Sequence, residues 1–206
     1  MVRVIDTLGL TDVVLVGQDS GGMVCRFVAE QRPDAVRALA LGGTEIPNVH
    51  SPLVKLFKLL AHLPGAKSMF KLTMRNRTLA RSPLILGGTM WDSSLINDEF
   101  RREVLDPIVS DDDAMKGAVQ MIRSFSLEDI DALADVHPKL TMPTLLIFGE
   151  DDGFFPVDAA RAMVPQFGGP TEFVAIARAK LFVHEEYPER FAEATTAFLR
   201  DSVGVS

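Results

Sequence analysis

The 206-residue sequence is short of most features that would set it apart from ordinary globular proteins. It has one cysteine, Cys25. A single thiol cannot close an internal disulfide, so nothing suggests a secreted disulfide framework. It lacks an excess of basic charge: 21 Lys and Arg face 28 Asp and Glu, for a formal net charge of −7. That balance argues against nucleic-acid binding, which needs a basic face. No apolar run approaches the roughly 18 residues of a membrane span. The first ten residues carry Arg3 and Asp6 in place of an apolar signal-peptide core. There is no internal repeat and no low-complexity segment. Hydrophobic residues make up 47% of the chain and charged residues 24%, close to globular averages, so a core of normal size is within reach. The expectation is a cytoplasmic globular protein without membrane or nucleic-acid partners.

What is present alternates at first between helix and strand. Residues 2–8 read as the end of a helix, with Gly9 where a left-handed cap is common. Val13 to Val16 is a short β-branched run, the pattern of a strand buried on both faces in a parallel sheet. Met23 to Gln31 reads as a helix with Val24, Phe27 and Val28 on its apolar face and Pro33 as its stop. Val36 to Leu41 is a second apolar strand. From Pro47 to about Pro138 no convincing strand occurs. Leu53, Leu56, Phe57, Leu60 and Leu63 recur at helical spacing, and residues 100–108, 114–125 and 127–133 are further helix candidates. Ser110 to Asp113 reads as a helix N-cap, since three consecutive acids cannot converge on one ion. Strands return at 143–149 and 172–177, and Pro188 opens a last helix. Helix–strand alternation of this kind indicates an α/β fold with a parallel sheet.

The strongest local signal is Gly17-Gln18-Asp19-Ser20-Gly21-Gly22, between the first strand and the helix after it. The pattern small-x-nucleophile-x-small needs glycines because the nucleophile sits in a sharp, strained turn. With Asp19 as nucleophile, positions 17 and 21 are both Gly. With Ser20, the earlier small position would be Gln18, which is not small. The elbow therefore presents an aspartate, with helix N–H groups and a positive dipole end behind it. The segments VVLVGQDSGG, PTLLIFGEDDGFFP and LFVHEEYPERFAEATTAFL together resemble the α/β-hydrolase fold family. The resemblance is to its aspartate-nucleophile branch of haloalkane and haloacetate dehalogenases and epoxide hydrolases.

The resemblance implies the C-terminal part of an α/β-hydrolase fold. It would comprise a core at 1–46, a helical cap enclosing the substrate at 47–138, and a second core part at 139–206. The catalytic acid that orients a histidine falls on Asp152 of Gly149-Glu150-Asp151-Asp152, with Asp151 as a solvated neighbour. Ser20 follows the nucleophile, where relatives carry a Trp or Arg that holds the leaving group, and offers a hydroxyl and a backbone N–H. The partner implied is a small-molecule substrate, with no cofactor and no metal.

Two absences qualify the resemblance. The family histidine follows the last strand in a pattern like G-H-F-x-x-E-x-x-P. Counting back from Pro188 lands on Leu181, so leucine stands where the histidine belongs. His184, three residues on, is a weaker substitute, while His50, His62 and His137 read as structural. Further, the family reaches its nucleophile after five strands, whereas here it stands at position 19. The expected reading is an N-terminally truncated fold or a start at an internal methionine. The Val13–Val16 edge would then be open to pairing with another chain.

The chemistry follows from these residues. A carboxylate with a reference pKa of about 3.9 is ionised at pH 7 and attacks carbon without a base. Displacing halide or opening an epoxide would leave an ester on Asp19, and hydrolysing that ester needs the absent histidine. The reading is a dehalogenase-type or epoxide-hydrolase-type hydrolase limited to one turnover, which Leu181→His alone should not rescue. The alternatives are a non-catalytic binding protein or remnant, and an esterase-like hydrolase. Trp91 reads as packing in the cap, and Cys25 as a buried, inert thiol behind the elbow.

Overall fold

The computed structural model describes residues 1–204. From the N-terminus come α1 (Val2–Leu8), β1 (Val13–Gln18), α2 (Ser20–Gln31) and β2 (Val36–Gly42). A helical series follows: α3 (Pro52–His62), α4 (Ala66–Arg75), α5 (Arg77–Ala80), α6 (Asp106–Ser110), α7 (Asp112–Ser124) and α8 (Leu127–Val136). The chain then returns to β3 (Thr144–Gly149), α9 (Val157–Met163), β4 (Thr171–Ile176), α10 (Val183–Glu186) and α11 (Pro188–Phe198). It divides into two compact units, one of residues 1–49 and 128–206, the other of residues 50–127.

The first unit holds one four-stranded parallel sheet in the order β1-β2-β3-β4. Register runs Val16↔Ala40 between β1 and β2, Leu41↔Leu146 between β2 and β3, and Ile147↔Val174 between β3 and β4. The sheet is central at β2 and β3, and every residue of β3 is buried, as its continuous apolar run implies. Ala38, Ala40, Leu145, Ile147, Ile176 and Phe198 form the core cluster over it. On the other side Ile5 of α1 packs with Val28 of α2 and Ala35. Gly9 closes α1 in the left-handed conformation (φ 59°, ψ 35°), as its position predicts. β1 carries the apolar run of a strand buried on both faces, but the expectation that holds is the other one, an open Val13–Val16 edge. β1 lies at the edge of the sheet, and Val16 is 56% exposed.

The second unit is helical and has its own core of Ala61, Phe70, Val109, Met115 and Val119. Asp111 caps α7, its Oδ1 accepting from Asp113 N at 2.7 Å and Ala114 N at 3.1 Å, which is the predicted role of the acidic run. The helix predicted over 100–108 is broken instead. A π-helical turn, Arg101–Leu105, passes into α6 at Asp106. Pro107, which lacks the N–H for an i→i−4 bond, accounts for the change of pitch. Trp91 is half exposed, contrary to the expected core packing, because its neighbour Met90 takes the inward position at 0% exposure. Among the described residues no helix is long and apolar enough to cross a membrane.

Candidate active site

Asp19 is the single residue between β1 and α2, and its backbone is strained, at φ 53° and ψ −133°. A non-glycine residue in this region persists only where its surroundings fix it. Here they do. Asp19 N–H donates to the carbonyls of Gly42 (3.2 Å) and Gly43 (3.1 Å), and its own carbonyl accepts from Gly22 N (2.8 Å) and Thr44 Oγ1 (2.9 Å). The glycine requirement is distributed differently from the predicted pair 17 and 21. A Cβ on Gly17 would lie 2.7 Å from Gly21 O, and one on Gly22 would lie 2.7 Å from Thr44 Cβ, whereas one on Gly21 would meet nothing within 4 Å. The turn therefore needs Gly17 and Gly22.

The electrostatics also differ from expectation. Asp19 is half-buried, and its carboxyl is pushed up to about 7. Burial is the main cause, the Glu45 and Asp152 carboxylates add to it, and a hydrogen bond from Ser20 N–H opposes it. The Asp19 carboxyl, expected to be ionised, is thus about half protonated at neutral pH. Asp152, in the turn after β3, is 6% exposed. Its Oδ1 accepts from Phe154 N (2.7 Å) and Phe155 N (3.2 Å), while Oδ2 is buried with no partner. Burial pushes its carboxyl up to about 6, against the pull of those two N–H groups and of Lys180. Asp151 is exposed, as predicted. Ser20 is the first residue of α2, half-buried beside Asp19. Asp19, Ser20 and Asp152 therefore occupy one charged neighbourhood at the ends of β1 and β3.

The histidine position is filled by apolar packing. Leu181 is 4% exposed, and its carbonyl accepts from Gln18 Nε2 at 2.6 Å. His184 makes no hydrogen bond to Asp152 among the described residues. Its Nε2 is 3.5 Å from Glu185 Oε1, its Nδ1 is buried without a partner, and its ring meets Phe182 and Phe191 edge-on at 6.1 Å. Burial pushes its pKa down, and Glu185 is the carboxylate that opposes the shift.

Sequence reasoning missed the polar network beneath the elbow. Arg26 is 0% exposed. Its guanidinium donates to Gly22 O (3.2 Å), Glu45 O (2.9 Å) and Thr44 Oγ1 (2.8 Å), and meets His137 Nε2 at 3.0 Å. Arg26 Nη2 lies 3.7 Å from Glu45 Oε2, both side chains fully buried. Arginine can only donate, so His137 Nε2 accepts and its Nδ1–H donates to Gln166 Oε1 at 3.0 Å. Burial and the Arg26 charge hold His137 neutral, down to about 4. His137 is structural, as predicted, although it belongs to the sheet-bearing unit and not to the helical insert. The signal for Arg26 lay in the spacing. α2 buries Gly22, Arg26 and Ala29 on one face and leaves Val24, assigned to the apolar face, 42% exposed. Cys25, expected buried, is half-buried, and its thiol is pushed up by that burial.

A strand, a strained turn carrying an acid, a helix and a second acid turn after a later strand define a known architecture. The sequence profile of the alpha/beta hydrolase fold matches residues 1–186. The chain belongs to the α/β-hydrolase fold family. Among curated family members, a 2-hydroxy-6-oxononadienedioate/2-hydroxy-6-oxononatrienedioate hydrolase of Paraburkholderia phymatum is 28% identical over 200 residues, covering 95% of this chain and 65% of that protein. Haloalkane dehalogenase 2 of Mycobacterium tuberculosis is 29% identical over 198 residues, covering 92% and 65%. The chain thus spans 65% of the length of these α/β-hydrolase relatives. The meta-cleavage product hydrolase from Pseudomonas fluorescens IP01 shares the fold at TM-score 0.74 and 19% identity, over 96% of this chain and 68% of that one. An epoxide hydrolase does so at 0.71 and 18%, over 95% and 70%. Among the described residues of this α/β hydrolase no group of three or more His, Cys, Asp or Glu could hold a metal ion.

Proposed function

We propose that this α/β hydrolase captures small haloalkyl or epoxide substrates as an alkyl ester on Asp19. The observation that carries the reading is the aspartate itself, held at φ 53° between β1 and α2, where the family's strained turn presents its nucleophile. Ser20, the nucleophile of an esterase-type alternative, is already in the helix, which favours Asp19. The haloalkane dehalogenase relative is consistent with the same chemistry.

In the proposed step an Oδ of ionised Asp19 forms a bond to carbon as the carbon–halogen bond breaks and halide departs with its electron pair. An epoxide opens in the same way, and its alkoxide takes a proton from water. Ser20 N–H and the N-terminal end of α2 supply positive potential beside the reacting carboxylate. The second half-reaction, attack of water on the ester, needs a base. Leu181 offers none, and Asp152 Oδ2 is left without the imidazole it would orient. The ester therefore persists, and the reaction stops after one equivalent.

The experiment is mass spectrometry of the intact protein and its peptides after incubation with a panel of haloacids, haloalkanes and epoxides. The expected result is one adduct per chain on the peptide containing Asp19, absent in Asp19→Asn. Its rate should rise with pH to a plateau above about 7, as the carboxyl ionises. Sustained release of product, or no adduct with any probe at pH 8, refutes the reading.

A further inference from the structure

The helical unit carries charge of the opposite sign from the chain as a whole. Residues 50–127 hold 11 Lys and Arg against 8 Asp and Glu, within a chain that has 21 against 28. Part of this excess converges on one cavity of about 440 Å³. Lys71, Arg75, Arg77 and Arg101 line it, together with Asp106 and Ser110. The volume is in the range of small-molecule sites.

Two of the four cations are already engaged. Lys71 Nζ lies 2.5 Å from Asp112 Oδ1. Arg101, nearly buried, donates to Asn97 Oδ1 (3.1 Å) and Met74 O (3.2 Å), and its Nη1 is 3.5 Å from Asp106 Oδ1. Arg75 and Arg77 form no ion pair among the described residues. They flank a rigid corner. Arg75 ends α4 and Arg77 begins α5, and Asn76 between them fixes the turn, its Oδ1 accepting from Thr78 N (3.0 Å) and Leu79 N (3.1 Å). On another wall Arg101 opens the π-helical turn, a conformation often kept at functional positions. Like charges held together on a fixed corner without counter-ions repel one another, and an anion between them removes that repulsion.

We infer that this cavity binds a small organic dianion, a phosphate monoester or a dicarboxylate, held by the guanidinium forks of Arg75 and Arg77. Two unanswered guanidinium groups match two negative charges. A planar fork grips a carboxylate or phosphate edge through paired N–H donors. Lys71 and Arg101, already paired, shape the walls. The inference rests on the helical unit alone and is independent of the chemistry at Asp19.

The test is isothermal titration of the full-length chain with glycerol 2-phosphate, succinate and acetate at pH 7.5 and constant ionic strength. One or both dianions should bind saturably, well ahead of the monoanion, and which of them binds identifies the source. Arg75→Gln and Arg77→Gln should each weaken binding by about ten- to hundredfold, the loss of one charge-assisted contact. Both residues are exposed, so the variants should fold. Arg102→Gln is the control, since Arg102 lies outside the cavity and pairs with Glu99 and Glu103. No saturable binding by either dianion, equal binding of acetate, or equal weakening by Arg102→Gln overturns the proposal.

Discussion

Replacing Asp19 by Asn should make the protein more stable, and increasingly so as pH rises. The folded state holds the Asp19 carboxyl up at about 7, whereas the unfolded chain releases that proton near 4. Between those values the folded protein binds more protons than the unfolded one, so stability falls as pH rises, and above about 7 the cost is complete. The shift spans about three pK units, at about 1.4 kcal/mol each, or about 4 kcal/mol at most. Asp19 is half-buried, and water screens part of that, which leaves about 2 kcal/mol. Asn has nearly the same shape and does not ionise, so it carries no such cost. Urea denaturation of both proteins at pH 4.5 and pH 8 measures the difference. The gap in favour of Asn should be small at pH 4.5 and about 2 kcal/mol at pH 8, or several degrees in Tm. Asp152, with its own raised carboxyl, is present in both proteins and largely cancels. A gap independent of pH, or a less stable Asn variant at pH 8, would refute the electrostatic account of the elbow.

The same turn predicts opposite outcomes at adjacent glycines. Gly22→Ala, whose Cβ would lie 2.7 Å from Thr44 Cβ, should destabilise by about 1–3 kcal/mol, the usual cost of overpacking. Gly21→Ala, in open space within α2, should gain about 0.5–1 kcal/mol, both read by urea midpoint. At the sheet edge, β1 is proposed to pair with a second copy of the chain. Sedimentation velocity should detect association that rises with concentration and is abolished by Val16→Lys, whose parent side chain is 56% exposed. A wild-type chain monomeric at every concentration sinks that idea.

The legible parts of the fold are those set by local chemistry. The run Thr144–Gly149 is apolar throughout and is buried throughout. Gly9, Asp111 and Pro188 each mark a helix end where backbone geometry or an orphan N–H demands that residue type. Long-range placement was not legible in local composition. Val13–Val16 has the same β-branched character as a central strand, and its open edge followed from the family resemblance and not from its composition, because neighbours decide exposure. Asp19 could be found from the spacing of glycines around it. Its protonation could not, because the main cause is burial in the fold, and Glu45 and Asp152 add to it from the turns after β2 and β3. Arg26 was overlooked because a cation in a helix ordinarily faces water. Here carbonyls, a hydroxyl and a neutral imidazole replace that water.

The charges around Asp19 bear on the lifetime of the proposed ester. The Glu45 and Asp152 carboxylates both act on Asp19. The buried cation among them, Arg26, spends its N–H groups on Gly22, Thr44, Glu45 and His137 beneath the turn. Oε1 of Glu45 and Oδ2 of Asp152 are left buried and unpaired. This negative surrounding acts on the two half-reactions in opposite ways. Burial is the main cause of the raised basicity of Asp19 and the carboxylates add to it, so the fraction that is ionised attacks carbon more readily, and alkylation relieves the repulsion by removing one charge. Once the ester has formed, the remaining carboxylates oppose the approach of hydroxide and the negative charge that develops when water attacks. A histidine held by Asp152 would overcome that barrier by taking the proton from water. Leu181 puts an apolar side chain in its place. The field that favours capture therefore also protects the captured product, and a stoichiometric adduct on Asp19 is the outcome that both effects predict.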